Sequence, residues 1–544
     1  MKNFEEVSVL DEKAPVRKNP TRIQYRRLRA PQEDNATLQN PRLKDAPGYL
    51  EHNLLTVAES GEIQIGDLRL RDLSRLGRSE VVELAKQHTG QYFDVSQIVA
   101  DDIELDRIVM SGHQPKLFHP GVWFKNFSLS KLGTDLNCVP INLIVDNDIC
   151  GVASIQVPNI QDQSATLTPL PFDAPGDNIP FEARKIEDRD FFNSFASRVQ
   201  ESMKGMVDEP LVTQLWGARD QLSEESGLGA ALARLRHKME LHYGLKTLEV
   251  PLSQVAQTSA FAHFAKHLLE RSNEFRNIYN RSLLEYRQLH KIRSHSHPVP
   301  PLDVDGEWTE SPFWIWKVDD PVRARLFIRR NSATFELTDR RDVHLRIENN
   351  RFVEQFTQLT SDGIAIRPRA LANTMFCRLV LSDLFLHGIG GAKYDQLNDA
   401  IIEHFFDLAP PGFITLTATK KLPIQHDQVT QADITRIDRM FRELRFHPEN
   451  QDFESDSESS DVIQRKREWI SRELPKRERL ERHRAIEECN HLLQQYVEPE
   501  RQNLLKQRND LAGKVRNSQI LGSREYSFCL FPIELIEQLK LMAS

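Results

Sequence analysis

RIVMSGHQPKLFHPGVWFKNFSLSKLGTDLNCVPINLIVDNDICG, residues 107–151 of the 544-residue chain, decides the fold. Ile108, Val109 and Met110 form a short apolar run of the length of a buried strand. A loop rich in Gly, His and Pro follows. Val122, Phe124, Phe127, Leu129 and Leu132 then recur roughly as one helix face, with Gly133 as its expected C-terminal stop. A second apolar run, Val139 to Val145, ends abruptly in Asp146-Asn147-Asp148. Strand, loop, helix, strand is one βαβ unit, and ligands of such units gather at the carboxyl ends of the parallel strands. The GHQP loop (Gly112, His113, Gln114, Pro115) and the DND triplet therefore face one crevice.

Composition narrows the classes. The net charge of −8 is modest and both signs are spread along the chain, which argues against a nucleic-acid partner. The five cysteines form no CxxC and no even-numbered framework, as expected of reduced thiols in a cytoplasmic protein. No apolar run approaches the roughly 18 residues of a membrane span, so no membrane partner is expected.

Outward from the βαβ unit the chain divides as follows. Residues 1–60 read as a polar, Pro- and Arg-rich extension, a surface tail whose Arg22, Arg26, Arg27 and Arg29 could touch an acidic partner. Residues 61–155, 245–258 and 360–425 form the core, with a first helix predicted over 68–87 and a short strand in TLEVPL (247–252). Residues 156–244 are a helical insertion, with helices near 189–204, 209–224 and 228–243. Residues 259–359 hold one long helix to about Arg293 and a small antiparallel sheet around Trp314, Trp316, Phe327 and Ile328. On that helix Asn273, Asn277 and Asn280 share a face, either solvated or reading a ligand. His295 and His297 read as a surface turn rather than a metal site. Residues 426–520 are a helical, coiled-coil region, containing an acidic serine-rich linker at 450–461 expected not to order and interrupted by Pro475 and Pro499. Residues 521–544 are apolar enough to pack back on the core.

A second strand–turn–helix–strand unit lies in 365–419. Arg367 and Arg369 bracket Pro368, and Leu384-Phe385-Leu386 reads as a strand. The glycine-rich turn HGIGG holds Gly388, Gly390 and Gly391, and Lys393 and Tyr394 open the following helix. Backbone N–H groups at such a helix start suit a phosphate or carboxylate. The spacing matches neither GxGxxG nor a P-loop.

These residues resemble the bacillithiol biosynthesis cysteine-adding enzyme family. Its members show G-Q-Q near the start and an apolar strand ending E-D-H-D. R-P and G-G-P-G-E-I-A-Y follow, leading into a helix and a proline pair. Order and spacing agree over about Arg107 to Thr419. The resemblance implies an α/β, Rossmann-like doubly wound core related to class I aminoacyl-tRNA synthetases, with inserted connecting segments. It also implies a C-terminal helical coiled-coil domain that forms a homodimer. The implied reaction joins the carboxyl group of cysteine, or of another amino acid, to the amine of glucosaminyl-malate, with ATP or ADP and Mg²⁺ as the cofactors such chemistry uses. The chain departs from the family pattern: His113 stands in place of Gln, Asn147 in place of His, and the later loop lacks Glu. A different substrate is consistent with those changes.

On this reading His113, His119, Asp146 and Asp148 are the candidate catalytic residues. The histidines would act as bases or phosphate donors, and the carboxylates would hold an amine or Mg²⁺. Gly112, Gln114, Lys125, Asn126, Asn147, Arg367, Arg369, Gly388, Gly390, Gly391, Lys393 and Tyr394 are the candidate binding residues. Lys125 or Lys393 would neutralise phosphate and the arginines would clamp a carboxylate. No protein metal site is expected. Each has a structural alternative: a turn cap for the aspartates, a loop hydrogen bond for the histidines, an ion pair for the arginines. The competing functions are a non-catalytic nucleotide- or sugar-binding protein and a dimeric scaffold.

Overall fold

The computed structural model describes residues 28–99, 107–223, 226–451, 456–473, 475 and 478–544. Arg22, Arg26 and Arg27 of the expected basic cluster lie outside them. The chain is mixed α/β around a six-stranded sheet. Across it run Ala36–Asn40, Phe413–Thr419, Leu384–His387, Ile108–His113, Val139–Ile144 and Leu248–Pro251. The last five are parallel to one another and the first is antiparallel. Taken in chain order the parallel strands stand 3-2-1-4-5, which puts the reversal of strand order between Ile108–His113 and Leu384–His387.

Side chains alternate between the sheet's two cores, as the two-residue strand period requires. Ile108, Met110, Ile141, Leu143, Val250 and Phe385 bury against helix Leu70–Gly90 on one face. Val109, Leu384, Leu386, Ile414 and Leu416 bury against helix Pro120–Asp135 on the other. That second helix runs two residues past Gly133. Gly133 serves close packing instead, since a Cβ there would stand 2.7 Å from Pro140.

Several segments differ from the sequence reading. Residues 36–59 are not a tail: Ala36–Asn40 is the sheet edge and Ala46–Glu59 a helix. Asn53 explains the docking, because its buried amide donates to the Asp383 and Gly412 carbonyls (2.8 Å each) and accepts from the Gly412 N–H (2.6 Å). The long helix breaks at Arg271 (φ −109°, ψ 31°) into Ser259–Glu270 and Ser272–Leu289. The asparagine face docks the next segment: Asn280 exchanges hydrogen bonds with the Leu302 backbone, and Asn273 accepts from the Thr309 hydroxyl. Ile364–Pro368, expected in the core, instead closes a second, wholly antiparallel sheet. Its order is His344–Glu348, Thr334–Thr338, Ala324–Arg330, Trp308–Lys317, Ile364–Pro368. A separate hairpin pairs Ser154–Gln161 with Ser164–Pro171.

The C-terminal arm is three helices, Gln431–Phe446, Ser457–Ser471 and Arg479–Leu521. Part of the expected linker is helical, because Asp456 and Ser459 form a reciprocal capping box. Pro499 does not interrupt the last helix. It and Gln495, whose carbonyl loses its donor, are both exposed, so water can take the freed acceptor. Tyr526, Phe528, Cys529 and Leu530 are buried in the core that covers helix Pro120–Asp135. All five cysteines are buried free thiols. Among the described residues no helix is long and apolar enough to cross a membrane.

Candidate functional site

At the carboxyl edge of the parallel sheet, under the antiparallel sheet, lies a cavity of about 240 Å³. Gln114 reaches it from the end of the first strand, Asn147 and Asp148 from the end of the second, and Arg369 and Asn373 from the helix after the Ile364–Pro368 strand. Trp314 and Arg323 come from the antiparallel sheet and its turn. Asp148 is held from two sides, by Gln114 Nε2 (3.1 Å) and Arg323 Nη1 (3.2 Å). Arg323 also donates to the Asn147 carbonyl, and Asn147 Nδ2 donates to the Pro368 carbonyl at 2.8 Å, which fastens the two sheets together. Trp314 receives two guanidiniums, Arg369 at 4.2 Å and Arg323 at 4.4 Å from its ring. Glu310 pairs with Arg369 at 2.7 Å, and burial draws the Arg369 pKa down.

Gln114, Asn147, Asp148 and Arg369 are thus the candidate residues brought together. Asp146 turns elsewhere, into a separate pocket of about 560 Å³ with Glu182, His88 and Arg234. There it accepts from the Ser253 N–H at 2.9 Å and from the Ser253 hydroxyl. Burial, then the nearby Glu182 charge, raises its pKa to about 7. Asp146 and Asp148 therefore open into different cavities and do not grip one amine or ion together. Arg367 is a structural ion pair, with its guanidinium on Glu182 (Nη2 to Oε2 2.8 Å).

The residues read as bases are engaged inside the protein. His113 has Nδ1 3.0 Å from the Gln114 carbonyl and Nε2 3.2 Å from Asn126 Oδ1; the neutral ring carries one proton and donates to one of these two oxygens, and both nitrogens lie against protein atoms. Burial, then Lys125 and Arg236, hold its pKa well below the usual histidine range. Asn126 is fixed in turn by donating to Glu240 (2.7 Å), and Arg236 bridges Glu240 and Glu249. Among the described residues His237, Glu240 and Glu249 are the one group close enough to hold a metal. Arg236 already neutralises those carboxylates, and both His237 nitrogens are bonded, to Tyr92 and Thr247. His119 is an N-cap, accepting from the Gly121 N–H at 3.0 Å, with Nε2 3.5 Å from Glu525. Lys125 is buried, donates to the Gly112 carbonyl at 2.9 Å, and has its pKa lowered to about 7 by desolvation.

The glycine-rich segment is the first turn of helix Ile389–Phe406 rather than a loop, with Gly388 as N-cap and no capping side chain. A Cβ at Gly388 or Gly390 would meet nothing within 4 Å, and the first N–H groups of the helix have no partner within it. Lys393 is exposed, and Tyr394 lies edge-on to His297 at 6.0 Å. Sequence reasoning passed over His387, which ends the strand just before this turn. Its Nε2 is 2.7 Å from Asp395 Oδ2. It also missed Arg323, Tyr279 and Asn373 as lining residues. A histidine directly before a glycine at a strand end, mirrored by an aspartate one face down the next helix, was the available signal for His387.

No protein-family model matches the chain, and no curated protein matches it either.

Proposed function

We propose that this protein is a ligase that forms a carbon–nitrogen bond, joining the carboxyl group of cysteine or another amino acid to the amine of an amino-sugar conjugate such as glucosaminyl-malate. The observation that carries the reading is the small cavity, lined by Asp148, which pairs with Arg323, and by Arg369, which pairs with Glu310, both guanidiniums lying over Trp314. A carboxylate beside guanidiniums is complementary to an ammonium and a carboxylate on one small molecule. At about 240 Å³ the space is below that of pockets enclosing drug-sized ligands. An amino acid suits it and a nucleotide does not.

The core reads as Rossmann-like and akin to class I synthetases, with the reversal of strand order beside the site. The uncapped first turn of helix Ile389–Phe406 fits the phosphates of ATP or ADP, held by backbone N–H groups of Ile389, Gly390 and Gly391. A nucleoside triphosphate with Mg²⁺ would supply activation of the carboxyl group. The protein's own residues orient the amino acid: Asp148 takes the ammonium, and Arg369, stacked on Trp314, takes the carboxylate. We also assign the C-terminal arm a role in self-association, and the chain a cytoplasmic location.

A mass-spectrometric assay with ATP, Mg²⁺, cysteine and glucosaminyl-malate tests the activity. The wild type is expected to yield the cysteinyl amide and Asp148→Asn to lose at least tenfold in kcat/KM. If folded wild-type protein forms no amide with cysteine or with a panel of amino acids and amines, the ligase reading is rejected. The internal engagement of His113 and His119 favours a second reading, a binding protein without turnover. It predicts calorimetric binding of an amino acid in the absence of product.

A further inference from the structure

We propose that His387 is the general base of this site, oriented by Asp395 and accepting the proton of the substrate's ammonium group at Nδ1. The inference rests on the ligase reading for its substrate and on geometry for its chemistry. His387 closes the Leu384–His387 strand, one residue beyond the Leu386–Ser111 pairing, at the reversal of strand order. It is only 4 % exposed, wedged between Phe385 (4.6 Å) and Phe413 (4.9 Å). Its Nε2 meets Asp395 Oδ2 at 2.7 Å.

Asp395 is built to stay ionised. It is buried, yet Arg378 Nη1 (2.8 Å), the Thr374 hydroxyl (2.8 Å) and Asn398 Nδ2 (3.2 Å) all donate to it. With His387, these donors hold its pKa below the ordinary carboxylate range against the cost of burial. Arg378 is itself balanced by Asp399 and the Pro411 carbonyl. An ionised Asp395 accepts only, so the imidazole proton belongs on Nε2 and the lone pair on Nδ1.

Nδ1 has no hydrogen bond to any described residue, and it points at the first turn of helix Ile389–Phe406. A Cβ at Gly391 would lie 2.6 Å from it, so only glycine leaves this nitrogen uncovered. Thr374, which donates to Asp395, belongs to the same short helix, Ala370–Phe376, as Asn373 of the cavity wall. The arrangement is a carboxylate, a histidine locked in one tautomer, and a bare ring nitrogen facing an anion-friendly helix start. His113 and His119 offer no such nitrogen.

In the step itself an ammonium N–H bond breaks and an Nδ1–H bond forms, while the electron pair stays on the amine nitrogen for attack on the carboxyl carbon, which ATP would have activated; as the C–N bond forms, the C–O bond to the activating phosphate breaks and the phosphate leaves with the amine's second proton. The resulting imidazolium is paired with Asp395.

Two measurements test this. In the ligase assay His387→Gln, whose amide can still donate to Asp395, is expected to lose 10²- to 10⁴-fold in kcat with KM for the amine within about threefold. Imidazole should restore part of the loss in His387→Ala. An active wild type with His387→Gln within threefold in kcat overturns the base while leaving the ligase reading standing. Independently, ¹⁵N-histidine NMR, with His387→Gln used to assign the signal, should show the neutral ring carrying its proton on Nε2 and none on Nδ1. Asp395→Asn should abolish that tautomer preference. If the wild type turns over nothing, the ligase reading falls and the NMR result alone decides: a neutral ring protonated on Nδ1 overturns the base.

Discussion

Lys125 is 4 % exposed, donates to one backbone carbonyl, and titrates near pH 7 because burial disfavours its charged form. The sign of the consequence is fixed by linkage. In the unfolded chain its pKa is about 10.4, so between pH 7 and pH 10 the unfolded state holds a proton that the folded state has released. Stability contributed by this group therefore rises with pH over that window. Lys125→Met carries no such proton. Between pH 7 and pH 9 the stability of wild type relative to Lys125→Met should rise by about 2 kcal/mol, at about 1.4 kcal/mol per pKa unit. Urea unfolding of both proteins at the two pH values measures it. Parallel pH dependences would mean that Lys125 stays charged in the fold. His113 keeps its neutral form for the same reason, and its single N–H donates to either the Gln114 carbonyl or Asn126 Oδ1.

At the scale of elements, one asparagine joins the N-terminal helix to the sheet. Asn53→Ala removes three hydrogen bonds and leaves the Asp383 carbonyl and both Gly412 backbone groups short of a partner. A loss of about 2–4 kcal/mol is expected in urea unfolding, from unsatisfied buried polar groups at about 1–3 kcal/mol each, partly relieved by relaxation. Hydrogen exchange over 46–59 should accelerate in the variant and not at the central strands. Uniform acceleration would show instead that the helix is integral to the cooperative core. The same helix marks what the sequence could and could not disclose. The 107–151 unit was legible because its two apolar runs and the 3.6-residue period between them are local, and its strands and helix lie where those signals put them. Ala36–Asn40 carries no such pattern, being a single edge strand recruited by Phe413–Thr419 some 380 residues away. Ile364–Pro368 looked like core for a related reason: its pairing with Trp308–Lys317 is non-local, and only that pairing tells one sheet from the other. Of the candidate site, the strand-end residues Gln114, Asn147 and Asp148 were readable from topology. The internal bonding of His113 and the division of Asp146 from Asp148 were not, because side-chain networks across elements leave no period in the sequence.

The whole molecule joins an α/β body to a helical arm whose last helix, 43 residues, is about 65 Å long. How the arm could pair two copies follows from where its apolar surface is spent. Cys489, Leu493, Val497 and Leu504 lie along one side of that helix and are buried against Gln431–Phe446 and Ser457–Ser471 of the same chain. The stripe that would form a coiled-coil seam is thus already used within one protomer. Ile470 and Leu480, at the adjoining ends of Ser457–Ser471 and Arg479–Leu521 (the arm's tip), are left 49 % and 59 % exposed, more than Leu492 and Leu505 farther along the last helix. Self-association through the arm should accordingly depend on the tip and not on the stripe. In sedimentation velocity at micromolar concentration the wild type is expected as a dimer and an Ile470→Glu/Leu480→Glu double variant as a monomer with an unchanged circular dichroism spectrum. Leu493→Glu should instead lose helical signal, since it places a charge in the intramolecular seam at a cost of several kcal/mol. A monomeric wild type removes dimerisation from the account. A dimer that survives the tip substitutions moves the interface to the α/β body, where a partner could shape the cavity beneath the antiparallel sheet.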